Sequence, residues 1–314
     1  MAADIELDVR RARRERTPSA SRGRRTIHRP GGMGMGWFLL PAALILIVFS
    51  VYPLVTLIRM AFSDVGPTNL LGGWHWVGFH NFGPVLSSTE FWGSLKTTVY
   101  FTAGVAVVDL VVGFFFATWL SYRTADAKFV QALMVFVWAL PSAVVGNIWR
   151  FLFADNGFVN KMLGGLSIGP VNWLGSAQLS IWTVSLIACW ASLPLSVVMF
   201  RAALLNIPTE LLDAAAVDGA TAWQTKVRIV LPLLRPTFLI LTILNLMYGF
   251  RSFDYIYVIT HGGPGTATAT LPYLSYRDAF IKFDFSRGAV EAILSMIIVA
   301  ALGFAYLQAS RKEA

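Results

Sequence analysis

Charge is scarce in this sequence. Only 13% of the 314 residues are Asp, Glu, Lys or Arg, about half of the ~25% found in an ordinary soluble domain. That excludes a soluble globular fold. Cysteine is scarcer still. Cys189 stands alone, so there is neither an intrachain disulfide nor a thiolate metal cluster. His28, His75, His80 and His261 show no metal-ligand spacing. No Gly-x-x-x-x-Gly-Lys-Ser/Thr run occurs, so the chain does not bind ATP by that phosphate loop. No nucleophile and base stand at catalytic spacing. The chain is read as not an enzyme, and as binding no cofactor directly.

Apolar residues are abundant, at 56%, and they fall in long runs. Crossing about 30 Å of hydrocarbon takes roughly 20 apolar residues as a helix. Six candidates meet this. They are Trp37–Ile58, Thr97–Ser121 with one charge at Asp109, Phe129–Trp149, Leu179–Phe200, a run from Pro236 to Phe250, and Gly288–Gln308. In the fifth, Arg251 and Asp254 intervene before Tyr255–Thr260. A membrane β-barrel would show shorter, alternating segments. Pro41, Pro53, Pro141 and Pro194 interrupt spans, as membrane helices tolerate. Trp37 and Trp190 read as packing or interface residues.

The net charge is +8, and nine arginines lie between Arg10 and Arg29. Acids and Pro18 break up that segment, which reads as a disordered tail (1–32) against a membrane surface rather than as a nucleic-acid site. It lacks the apolar stretch and cleavage site of a signal peptide. Residues 33–314 form the membrane domain. With the amino terminus in the cytoplasm, 17 of the 25 Lys and Arg fall on the cytoplasmic side, the side they favour. Both termini are then inside, as is the loop between spans four and five.

That loop is not simply polar. Pro208 and Thr209 suit a helix start, and Glu210 in the first turn suits the helix dipole. Leu211, Leu212 and Ala214–Ala216 favour helix, and Gly219 is a stop. Trp223, Val227 and Val230 follow at helical spacing. Leu231-Pro232 and Pro236 then redirect the chain into span five. Such an element is too short and too charged to enter the bilayer. Two readings stand: a surface connector, or a surface through which a partner moves spans four and five.

The residues of this loop resemble the EAA loop of ABC importer permeases. Asp213-Ala214-Ala215 is followed after three residues by Gly219, and after nine more by Ile229, Val230, Leu231 and Pro232. The one departure is Asp213 in place of Glu, which keeps the charge and shortens the reach by one methylene. Downstream, Phe253-Asp254-Tyr255 through His261-Gly262-Gly263-Pro264-Gly265 is similar to the end of span five in carbohydrate-uptake permeases, the type of the larger maltose permease and the glycerol-phosphate permease. Tyr276–Phe280 and Phe283–Phe285 continue the likeness.

The resemblance implies an all-α membrane protein with the type I ABC importer permease fold. It implies transport of a sugar or related polyol delivered by an extracytoplasmic solute-binding protein. A second permease subunit and two ATPase subunits carrying ATP and Mg are the other implied partners, in a bacterial-type cytoplasmic membrane. The loop would be the coupling helix, with Glu210, Asp213, Ala214, Ala215, Asp218 and Gly219 facing the ATPase. An ion-coupled secondary transporter or channel is the alternative, but it leaves the loop pattern unexplained.

For the substrate path, the resemblance points to Asn245, Tyr248, Phe250, Arg251, Asp254 and Tyr255. Arg251 and Asp254 are three apart, so they could pair on one helix face. Charges at membrane depth usually line an interior path, yet both could also sit at the outer interface. Asp109, mid-span, reads as interhelical glue in preference to a solute contact. Glu291 reads as a solvated group near the outer end of span six.

Overall fold

The computed structural model describes residues 33–121 and 126–311. The basic segment 1–32, Arg123 and Lys312 lie outside the described residues. The chain divides into two units, Met1–Pro53 and Leu54–Ala314. In the first, helix α1 (Met33–Leu46) contains Pro41 and passes into a π-helical turn at Ile47–Val51. Helix α2 (Tyr52–Ala61) follows and belongs to the second unit from Leu54 on.

The second unit carries the remaining elements. A two-stranded antiparallel pair, β1 (Ser63–Asp64) and β2 (His75–Trp76), precedes α3 (Phe82–Leu86). The long helices are α4 (Thr89–Ser121), α8 (Ser180–Leu205), α12 (Arg235–Arg251) and α15 (Phe285–Arg311). Between them lie α5 (Asp126–Trp138), α6 (Ser142–Leu152), α7 (Phe158–Gly165), α9 (Thr209–Val217), α10 (Ala222–Thr225), α11 (Leu231–Leu233), α13 (Asp254–Ile259) and α14 (Leu271–Tyr276).

Among the described residues four stretches are long and apolar enough to cross a bilayer: Leu40–Ala61, Thr89–Ser121, Ser180–Leu205 and Phe285–Tyr306. Two bent helix pairs bring the total to as many as six. The third expected span is not one helix. α5 and α6 meet at 97°. Pro141 lacks an N–H and biases Leu140 away from helical geometry, so the run ends at Trp138 and restarts at Ser142. Pro194, by contrast, sits inside an unbroken α8. The fifth run is also short. At 1.5 Å per residue α12 reaches only about 26 Å, and α13 continues it after a break at Ser252–Phe253.

α4 is the hub of the second unit. It packs along α8 and against α12, while α15 covers α12 and α14. Small residues bring these helices close, as is usual in membranes. A Cβ on Gly249 of α12 would lie 2.5 Å from Oγ1 of Thr102 on α4, and one on Gly113 of α4 would lie 3.0 Å from Cβ of Ser196 on α8. Near one end of α4 the core is Phe114, Leu120, Phe200, Val230, Leu234 and Leu241. Toward the other it is Phe101, Val105, Val184, Ile187 and Ile256.

The Thr89 end of α4 is held by charge. Arg277 bonds Glu90 at 2.7 Å and Asp278 at 2.8 Å. Lys282 reaches Asp278 at 3.0 Å, and Nε of Arg287 reaches Asp278 at 2.8 Å and Glu291 at 3.3 Å. Burial opposes the Arg277 charge, but the Glu90 and Asp278 carboxylates outweigh it and hold its pKa above the ordinary value. Glu291 is fully buried here, not solvated as the sequence suggested. α15 begins at Phe285, so Glu291 lies almost two turns inside the helix, and Arg287 one turn before it supplies the partner.

Candidate functional site

Two constellations carry the predicted site residues. The first is the surface around α9. Pro208 takes an extended conformation (φ −57°, ψ 131°) just before the helix, and Glu210 sits in its first turn. Gly219 has φ +75°, a left-handed geometry that costs any other residue roughly 1–2 kcal/mol. It lets the Ala220 N–H donate back to the Ala215 carbonyl at 2.9 Å, closing the helix end. Thr221 and Gln224 then cap α10 reciprocally: the Thr221 N–H donates to the Gln224 side chain at 2.8 Å, and the Gln224 N–H donates to the Thr221 hydroxyl at 3.3 Å. A π-helical turn at Lys226–Val230 leads to α11, and a 66° bend turns the chain into α12.

Ala215 is buried, whereas Glu210, Asp213, Ala214, Asp218 and Gly219 are exposed. Ala214, Ala215, Asp218 and Gly219 line a concavity of about 560 Å³ with Leu211 and Arg228. Glu210 and Asp213 are not among its lining residues. Beside it, Val217 and Trp223 are 88% and 67% exposed. Sequence spacing used Trp223 only as a helix marker. On its other side the element is rooted in the core, since Ile207, Leu212 and Leu231 pack onto the cluster containing Val230, Leu234 and Leu241.

The second constellation is a cavity of about 550 Å³ where two helix breaks meet. Leu241, Asn245, Tyr248 and Arg251 reach it from α12, Asp254 and Tyr255 from the start of α13, and Trp138, Leu140 and Ser142 from the α5–α6 break. Ser192 and Leu195 close it from α8. The Ser142 hydroxyl donates to Oδ2 of Asp254 at 2.8 Å. Asn245 is 94% buried, and its side-chain Nδ2 has no hydrogen-bond partner among the described residues. The rings of Trp138, Tyr248 and Tyr255 beside an amide, a guanidinium and hydroxyls fit a ligand with flat apolar faces and many hydroxyls.

Two expectations change here. Arg251 and Asp254 form no ion pair. Ser252 is extended (ψ 109°), so the helix ends between them and Asp254 turns to Ser142. Phe250 does not line this cavity. It is buried and borders a separate one with Pro272, Ser275 and Ser295, because helical spacing points it away from Asn245 and Tyr248. Asp109 is fully buried on α4 with Ser192 of α8 beside its carboxylate, so an interhelical polar contact stands where the sequence placed one, although neither oxygen makes a hydrogen bond of standard geometry among the described residues. Trp138, Ser142 and Ser192 were missed. Only Pro141 hinted that the third span opens there.

The chain is similar to the trehalose/maltose transport system permease protein MalF of Thermococcus litoralis, with 32% identity over 75% of this chain and 80% of the relative. It is 30% identical to the diacetylchitobiose uptake system permease protein DasB of Streptomyces coelicolor, over 92% of this chain and 90% of the relative. In fold it matches a bacterial ABC transporter for the acidic polysaccharide alginate, with a TM-score of 0.77, 21% identity, and coverage of 88% of this chain and 95% of that one. Residues 109–311 match the family of binding-protein-dependent transport system inner membrane components. The chain belongs to that family and is a multi-pass permease subunit of an ABC importer, with the type I importer permease fold.

Proposed function

We propose that this permease passes a sugar or related polyol through the Asn245–Asp254 cavity, driven from the α9 surface. The observation that carries this reading is the continuity between the two. Leu212 of α9 and Leu241 belong to one packed cluster, and Leu241 also lines the cavity. Packed cores shift between discrete arrangements rather than deforming smoothly. A partner that displaces α9 therefore displaces the cavity wall.

Family membership supports the partner kinds. ATP and Mg belong to two ATPase subunits docked at α9, with Glu210, Asp213, Ala214, Ala215, Asp218 and Gly219 in or beside the contact. A second permease subunit completes the path, and a solute-binding protein delivers solute at the opposite end. Both chain termini and the basic segment 1–32 lie in the cytoplasm, with the tail against anionic lipid. No nucleic acid is involved. ATP closes the ATPase dimer, α9 moves, and the cavity opens toward the binding protein; hydrolysis resets it. A sugar is favoured over an ion by the cavity's aromatic rings and by the solutes for which the relatives are named. Family membership supports an ATP-driven importer over the ion-coupled alternative.

Gly219→Leu tests this. At φ +75° the leucine strains the helix end and fills the docking concavity. Solute uptake is expected to fall at least tenfold, with the ATPase subunit lost from the purified complex or its hydrolysis uncoupled from uptake. Unimpaired uptake with normal assembly would sink the docking role.

A further inference from the structure

One groove on the molecule belongs to neither the solute path nor the α9 surface. Near the Thr89 end of α4, that helix and α8 part around a cavity of about 410 Å³. Lys96, Thr97 and Tyr100 enter it from successive turns of one face of α4. Trp182 closes it from the first turn of α8, and Thr266 from the loop that follows Pro264.

Lys96 sets the chemistry. Its ammonium lies 5.6 Å from the centroid of the Tyr100 ring. Among the described residues no carboxylate forms an ion pair with it. Glu90, the nearest acid in sequence, is taken up by Arg277 and Lys282. Lys96 is also the last charge before the apolar run that begins at Thr97, which puts it at the level of the membrane–water interface. Along the same two helices Val99, Val107, Trp182 and Leu186 are exposed. On membrane-spanning helices such faces meet acyl chains.

A groove with an unpaired cation and hydroxyls at its head, and apolar side chains running away beneath, is complementary to one kind of molecule. Three hydroxyl-bearing residues (Thr97, Tyr100, Thr266) and Trp182 line the groove with the lysine, and lysine acts as a point charge toward phosphate. We propose that this groove binds the phosphodiester headgroup of an anionic phospholipid, with Lys96 as its counter-charge. The acyl chains then lie along the exposed flank of α4 and α8. A free phosphate could satisfy the head of the site but would leave that flank without a role.

The test compares retained lipid on the assembled transporter in nanodiscs of mixed phosphatidylglycerol and phosphatidylcholine, read by native mass spectrometry. Lys96→Gln is expected to lower the phosphatidylglycerol preference about fivefold, the equivalent of the ~1 kcal/mol that one lysine contributes at an anionic surface. Lys96→Arg is expected to keep it, and added inorganic phosphate is expected to leave it unchanged. Equal phosphatidylglycerol retention by wild type and Lys96→Gln overturns the proposal, and so does displacement of the lipid by inorganic phosphate.

Discussion

Two polar constellations sit within this apolar chain, and they are built in opposite ways. The cluster of Glu90, Arg277, Asp278, Lys282, Arg287 and Glu291 balances three acids against three bases and pairs every one of them. The cavity of Asn245, Tyr248, Arg251 and Asp254 leaves an amide nitrogen without a partner and an arginine without an ion pair among the described residues. Buried charge is costly unless paired. The first arrangement therefore joins elements, while the second keeps donors and acceptors free for something that passes.

The difference can be broken at its strongest point first. Asp278 is fully buried and touches three cations. Asp278→Ala leaves Arg277, Lys282 and Arg287 to share Glu90 and Glu291 alone, and removing one member of a buried ionic group costs about 3 kcal/mol. The thermal unfolding midpoint of the solubilised permease should fall accordingly. A midpoint within experimental error of wild type would show that the cluster is not structural.

A smaller effect is expected at the cavity rim. Ser142→Ala removes the hydroxyl that donates to Asp254 and costs about 1 kcal/mol or less. Amide exchange in α6 and α13 should quicken while the rest of the bundle is unchanged. Uniform exchange across the chain would argue against a local clasp.

The smallest effect on stability, and the sharpest contrast, is at Arg251. It is exposed in the cavity, so Arg251→Gln should change stability by no more than about 0.5 kcal/mol. Solute uptake in proteoliposomes should still fall about tenfold, the equivalent of ~1.4 kcal/mol. Unchanged uptake would remove Arg251 from the path.

Much of this architecture was legible in the residues. The ends of α9 followed from Pro208 and Gly219, because φ restriction and left-handed tolerance are properties of single residues. Spans one, two, four and six followed from hydropathy. The bend in span three was not legible, because an apolar run looks the same whether straight or bent at 97°. Its Pro141 was visible, but Pro194 in α8 breaks nothing, so a proline alone does not say which. Phe250 was placed in the path by its neighbourhood in sequence, whereas the turn of the helix sends it to the other side.

The sequence by itself determined that the chain lives in a membrane, where four of its spans lie, and that a short capped helix precedes the fifth. These depend on local hydrophobicity and backbone preference. Only the tertiary structure decided which polar groups pair and which stay open. Glu90 meets Arg277 at 2.7 Å across most of the chain, while Arg251 and Asp254, three residues apart, do not pair. Electrostatic and hydrogen-bond partnership depends on distance in space, and a helix break of two residues is enough to separate neighbours in sequence.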